Sequence, residues 1–243
     1  MALAITKLSD SVLNRDTPIR ALVYGPAGAG KTTLVGTFPT PMLIFDFDQK
    51  LKPLYGKVGI DVLSYTMADI EKSSDIFNQF KRDFKEAKKS ADYKTLVIDS
   101  LSSLDTLCLR HFVKLSGKAS DAPASLPVYQ EQGSWYSFFF TDLKSVTDKH
   151  VLVTAHEFYN VDGESGIHSI QPLITGKAIL GKLPSLFEEV WYMKKMAADK
   201  DDSTLFYRNS GKAMATSTML HGGNGKVENP SFEKILTQAK GGK

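Results

Sequence analysis

The run Gly25-Pro26-Ala27-Gly28-Ala29-Gly30-Lys31-Thr32 fits the pattern G-x-x-x-x-G-K-[ST] in full, and no other stretch restricts the fold so strongly. Ile19 to Tyr24 reads as an apolar strand leading into it. Lys31 to Phe38 reads as a helix leading out, closed by Pro39 and Pro41. Glycine lets main-chain N–H groups turn inward around an anion, because no Cβ blocks the approach. Those groups lie at a helix start, where unpaired donors and the helix dipole favour negative charge. The expected ligand is a nucleoside triphosphate held by residues 25–33. Lys31 reaches its outer phosphates, the Thr32 hydroxyl ligates Mg²⁺, and Thr33 follows on the same helix start.

Further along, short apolar runs alternate with helical patterns. Met42–Phe45, Thr95–Ile98 and Val151–Ala155 read as buried strands, and Val58–Tyr65 as a weaker one. Ile70, Phe77, Phe80, Phe84 and Ala87 recur at helical spacing within an amphipathic helix over 69–91. A second helix is expected after Asp99, and a third over 128–147. Glu189–Met196 and Thr204–Asn209 read as two strands joined by a charged turn, and Ser231–Ala239 as a closing helix. Residues 1–17 suggest a short edge element and a loop; 116–127 and 157–166 are loops by composition. The alternation argues for an α/β fold, a mostly parallel sheet with helices on both faces and a C-terminal antiparallel hairpin. One domain is expected over 1–243, with its core at about 18–218 and a C-terminal helix within 229–240.

Three strand ends carry candidate chemistry. Asp99 closes the Thr95–Ile98 strand, where a carboxylate beside the phosphate loop would hold Mg²⁺; it is also placed to cap the helix that follows. The next residue is Ser100, so this strand supplies no adjacent glutamate to activate water. Asp46 and Asp48 are the alternative bases; in an extended segment they point the same way. His156 ends the Val151–Ala155 strand on the same edge of the sheet, where it can contact the outermost phosphate. Cys108 sits among Leu107 and Leu109 as a core residue.

These motifs resemble RecA-like ATPases, and most closely the small core-only RecA relatives of bacteriophages, some of which anneal single-stranded DNA. The likeness rests on Leu22 to Leu34, Ile-Phe-Asp-Phe-Asp at 44–48, Val-Ile-Asp-Ser at 97–100 and Val-Thr-Ala-His at 153–156. It implies Mg²⁺-dependent ATP hydrolysis, with Asp48 as catalytic acid where recombinases have glutamate. Asp99 would be the metal-site aspartate, and His156 would stand where a switch glutamine is usual. It also implies DNA-contacting loops at 116–132 and 157–175, in which Tyr129, Phe158 and Tyr159 are placed to stack on bases. Arg208 and Lys212 fall where such proteins extend cations to a neighbour's ATP, although a solvated hairpin accounts for them equally. The implied partners are single-stranded DNA, further copies of the chain in a ring or filament, and a single-strand binding or other replication protein.

Composition narrows the alternatives. Thirty Lys plus Arg against 27 Asp plus Glu leave a charge of +3, so nucleic-acid binding must come from a local surface. The longest uncharged run, Thr32 to Phe45, is interrupted by prolines, so no membrane span is expected. The start has no secretory-signal order, and a single cysteine suggests a reducing, cytoplasmic setting, the host's if phage-encoded. A P-loop kinase needs an arginine-rich lid, yet no Arg lies between His156 and Arg208; a GTPase needs an Asn-Lys-x-Asp motif, which is absent. An AAA+ type would carry a glutamate after Asp99 and a helical lid. A nucleotide-gated adaptor or loader for a replication protein, with little DNA binding of its own, is the alternative function.

Overall fold

The structure is a computed structural model that describes residues 16–66, 76–161, 166, 168–196 and 202–241. Strand β1 (Arg20–Tyr24) lies between β5 (His150–Ala155) and β8 (Glu189–Lys195), parallel to both. Beyond β5 the parallel sheet continues through β4 (Thr95–Asp99) and β2 (Met42–Asp46) to the edge strand β3 (Ile60–Ser64). On the other side β8 pairs antiparallel with β9 (Ser203–Phe206) and β10 (Thr216–Ser217), and β9 with β11 (Lys226–Glu228). A separate antiparallel hairpin joins β6 (Glu157–Val161) and β7 (His168–Pro172).

The central strands are buried on both faces, which explains their unbroken apolar sequences. Along β1, Leu22 and Tyr24 enter one core while Ala21 and Val23 enter the other, as the two-residue period of a strand requires. The first core is covered by α2 (Ile76–Ala87), α3 (Leu101–Leu115) and α4 (Leu126–Lys144), together with the short helices α5 (Lys177–Leu180) and α6 (Leu183–Leu186). The second lies under α1 (Lys31–Val35) and α7 (Phe232–Gly241). Phe45 is fully buried, with the rings of Phe80 and Phe84 each 5.7 Å away, so truncation to alanine would cost about 3–5 kcal/mol. This is the α/β arrangement the sequence implies, including the antiparallel extension at the C-terminal side.

Several boundaries move. Helix α1 stops at Val35, where Gly36 ends it, rather than reaching Phe38. The segment 157–166, expected as a loop, begins with strand β6; its residues are half-exposed, so no apolar alternation marks it. Residues 126–132 of the expected first DNA loop are the opening turns of α4, with Pro127 in its first turn. Strand β9 ends at Phe206, short of Asn209. Strands β10 and β11 and helices α5 and α6 are too short to leave a periodic signal. The element expected over residues 1–17 falls almost wholly outside the described residues. So do the start of the 69–91 helix and most of the charged turn at 199–202.

Candidate functional site

The phosphate loop forms at the C-terminal end of β1, and backbone geometry sets its glycines. Gly25, Gly28 and Gly30 have φ of 153°, 78° and 90°. A Cβ on Gly25 would lie 2.0 Å from the Met193 carbonyl oxygen of β8, so that position admits glycine alone. Gly30 is the N-cap of α1, and the first-turn N–H groups behind it have no intrahelical acceptor. The Lys31 ammonium is buried and folds back on the loop, donating to the carbonyls of Gly25 at 2.8 Å and Pro26 at 2.9 Å. Burial lowers its pKa, and the carboxylates of Asp99 and Asp48 work against that shift.

A cavity of 230 Å³ opens above the loop. Ala27 to Thr33 form one side; Asp48, Asp99 and His156 form the other. Gly25 and Pro26 do not line it but supply the turn and the lysine's acceptors. Sequence reasoning missed Lys50 and Pro53, which also line this cavity. Lys50 is two residues beyond Asp48 on the same strand exit, and that proximity was the available signal. A second cleft of 360 Å³ adjoins across Gly28, Gly30 and Thr33, walled by Met193, Ser203 and Asn229.

Asp99 ends β4, is only 4% exposed, and accepts hydrogen bonds from Thr32 Oγ1 at 3.1 Å and from Thr154 Oγ1. Burial raises its pKa, and the two threonine hydroxyls oppose the shift. The helix cap is Ser100 instead, whose hydroxyl accepts from the Ser103 N–H at 3.3 Å; the Asp99–Ser100 peptide is cis. Hard oxygen donors converge at Thr32 and Asp99, which suits Mg²⁺, an ion held through one or two carboxylates plus substrate phosphates. Among the described residues no group of three or more His, Cys, Asp or Glu could hold a metal by itself. An ion at this point would depend on nucleotide oxygens.

Asp46 and Asp48 do not point the same way, because the chain bends after Asp46. Asp46 Oδ1 accepts from the N–H groups of Asp48 at 3.1 Å and Gln49 at 2.8 Å and so caps the turn. Burial raises its pKa, and those two N–H groups pull it back. Asp48 faces the cavity. Its Oδ1 accepts from the hydroxyls of Ser100 at 2.9 Å and Ser103, and its Oδ2 lies 2.9 Å from His156 Nε2. Burial alone would raise its pKa, but the His156, Ser103 and Ser100 hydrogen bonds outweigh it and hold the carboxyl at about 2.

His156 sits between β5 and β6, so the residue touching Asp48 leads directly into the hairpin. The hairpin base is fixed to the site from two sides. Ser102 at the start of α3 accepts from the His156 N–H at 3.0 Å and donates to the Leu173 carbonyl at 2.7 Å. Tyr24, immediately before the loop, donates to the carbonyls of Ile170 at 3.1 Å and Met214 at 2.6 Å. Phe158 and Tyr159 are about half exposed on β6, and Tyr129 is exposed on α4 rather than on a loop. Neither Arg208 nor Lys212 lines the cavity of its own chain. The Arg208 guanidinium lies 5.9 Å from the Tyr207 ring, and Lys212 Nζ lies 3.4 Å from the Tyr159 hydroxyl.

Fold and site together define a P-loop α/β domain with a candidate nucleotide pocket at the ends of its parallel strands. A protein-family model described as "AAA domain" matches residues 17–224, and the chain belongs to that family. No curated protein matches the chain. Among solved structures, the crystal structure of the RadB recombinase is similar at 14% identity and a TM-score of 0.42, over 80% of this chain and 85% of that one. Among the described residues no helix is long and apolar enough to cross a membrane.

Proposed function

We propose that the chain binds ATP in the 230 Å³ cavity, hydrolyses it, and couples it to single-stranded DNA in phage-type recombination or strand annealing. One observation carries the reading: His156 contacts Asp48 at the phosphate loop and is followed without a break by the hairpin that bears Phe158 and Tyr159. The loop N–H groups and Lys31 grip the phosphates, and the nucleoside end extends into the adjoining 360 Å³ cleft. Thr32 and Asp99 would hold Mg²⁺, which when bound neutralises charge on the phosphate oxygens. Asp48 orients the attacking water once a phosphate oxygen draws His156 away; with His156 in place Oδ2 is held by the imidazole. That same displacement of His156 pulls on the base of β6. Stacking on Phe158 and Tyr159 accounts for DNA binding without sequence preference.

The test is ATP turnover with and without single-stranded DNA, at several protein concentrations. The expected result is turnover that rises with DNA and with assembly into a ring or filament, and that Lys31→Ala abolishes while the fold persists. Turnover that Lys31→Ala leaves unchanged would sink the reading. The composition of the hairpin favours a second reading, a nucleotide-gated adaptor for a replication protein: the residues of β6 and β7 include no Lys or Arg. A salt-sensitive complex with single-stranded DNA separates the two, because the adaptor forms none.

A further inference from the structure

Away from the phosphate loop, a cleft of 490 Å³ lies between α2 and α4. Its floor is aromatic: Phe80 and Phe84 from α2 and Phe139 from α4, all buried. Its α4 wall holds Trp135, stacked on Phe139 at 4.8 Å and 13°, and Phe138, which is 74% exposed. Along the α2 side run Lys81 and Lys85, with Lys88 one residue past the helix end, so three lysines line this side of the cleft. Lys88 pairs with Asp142 across the cleft, and Lys81 Nζ lies 5.3 Å from the Phe77 ring.

We propose that this cleft is a docking groove for an acidic segment of another protein, anchored by one bulky apolar side chain. Charge complementarity selects the occupant: with Lys88 paired to Asp142, the lining keeps a net positive charge in Lys81 and Lys85, above a floor that offers only aromatic carbon. From Lys81 to Lys88, just past the end of α2, the row spans roughly 10 Å at the helical rise of 1.5 Å per residue. That length suits two or three carboxylates flanking a single anchor. A nucleic-acid track would need cations following a longer backbone, and Asp142 on the facing wall repels phosphate. An exposed phenyl ring beside a stacked tryptophan is the kind of anchor point on which peptide-binding surfaces concentrate their energy. The groove is independent of the nucleotide reading, since it shares no lining residue with the phosphate-loop cavity.

Trp135 reports directly on occupancy, because the chain has two tryptophans and the other, Trp191, is fully buried. The experiment titrates the full chain with a short synthetic peptide of Asp and Gly around one Phe, following tryptophan emission. The expected response is saturable and weakens with salt. Affinity should fall about tenfold in Lys85→Glu and in Phe138→Ser, the loss of one steering charge or one anchor contact. It should be unchanged in Lys31→Ala, so failure of the nucleotide site and failure of the groove are distinguishable. Circular dichroism checks that the variants fold, and exposed Lys85 keeps the test sound should Phe138→Ser not. The proposal is overturned by no saturable response, or by equal affinity for the peptide with Lys in place of Asp. Displacement of the peptide by an oligothymidylate would overturn it too, as would self-association that Phe138→Ser abolishes, which would make a second copy the occupant.

Discussion

The Nε2 of His156 lies 2.9 Å from Oδ2 of Asp48, across 108 residues of sequence. The contact joins the exits of β2 and β5, with β4 and its Asp99 between them in the sheet. Together with Ser100 and Ser103 it surrounds the Asp48 carboxylate with donors. A carboxyl held at about 2 is a weak proton acceptor, so in the proposed hydrolysis it would act by positioning water rather than through basicity. Loss of the charge in Asp48→Asn should lower kcat by about 10², the scale of losing an oriented reactant. ATP affinity should stay within about threefold, because the phosphate contacts come from the loop. Single-turnover kinetics alongside calorimetric binding would check both halves, and a variant with unaltered kcat would remove Asp48 from the chemistry.

The same depressed pKa has a stability consequence with a defined sign. The folded value of about 2 lies below the ordinary 3.8, so the stabilisation is fully present above about pH 4 and disappears as pH falls toward 2. Chemical denaturation of wild type and Asp48→Asn at a series of pH values should therefore show their stability difference narrowing below pH 4. A difference that stays constant down to pH 2 would contradict the hydrogen-bonding scheme.

Asp105 behaves in the opposite sense. It is buried in α3, accepts from the Thr175 N–H at 2.8 Å and Gln132 Nε2 at 3.0 Å, and ties α4 to the segment after the hairpin. Burial pushes its pKa up from 3.8 to about 6, and the Thr175 hydrogen bonds only partly offset that. The folded state binds the proton more tightly, so this group's contribution falls as pH rises from about 4 to about 6 and stays low above it. The loss is about 3 kcal/mol. Asp105→Asn, with the Gln132 amide turned to accept, should flatten that part of the profile. Thermal melts between pH 4 and 7 that keep the wild-type slope in the variant would count against it.

Two loop glycines make a matched comparison. A Cβ at Gly25 meets backbone of β8 at 2.0 Å, whereas a Cβ at Gly28 has nothing within 4 Å, although both have positive φ. Gly28→Ala should cost about 1–2 kcal/mol, the left-handed penalty alone. Gly25→Ala adds displacement of a sheet strand and should exceed about 4 kcal/mol, the range kept for severe steric faults. Urea denaturation of the two variants measures the contrast directly, and equal costs would mean that β8 yields readily.

The phosphate loop and the buried strands were legible because each rests on local constraints: glycine geometry at 25–30, and apolar runs that only a two-sided burial explains. Asp99 and His156 were legible as strand ends. What sequence could not separate was Asp46 from Asp48, since the bend that turns one inward and the other to the cavity depends on N–H groups of the following residues. Ser100 and Ser103 as partners of Asp48 needed the pairing of β2 with β4, a non-local fact. The β6–β7 hairpin was missed because its exposed faces leave no hydrophobic period. Lys81, Lys85 and Lys88 read as the ordinary polar face of the expected 69–91 helix until α4 was packed beside it.

Arg208 and Lys212 stand clear of their own chain's phosphate-loop cavity, one against Tyr207 and the other against Tyr159. A cation that acts from a neighbouring subunit is expected to have that placement, and it would be worth roughly 10³–10⁵ in rate. Complementation tests this without knowing the oligomer number. Lys31→Ala keeps the cation but loses its own site, and Arg208→Ala keeps the site but loses the cation. Each alone should be nearly inactive. In a random mixture about a quarter of head-to-tail interfaces pair an intact site with an intact cation, so up to about a quarter of wild-type turnover should return. The Lys212→Ala variant mixed with Lys31→Ala asks the same of the second residue. A mixture no more active than the sum of its parts would leave the cation to act within its own chain or not at all. Turnover of Arg208→Ala alone at the wild-type level would remove the residue from the reaction.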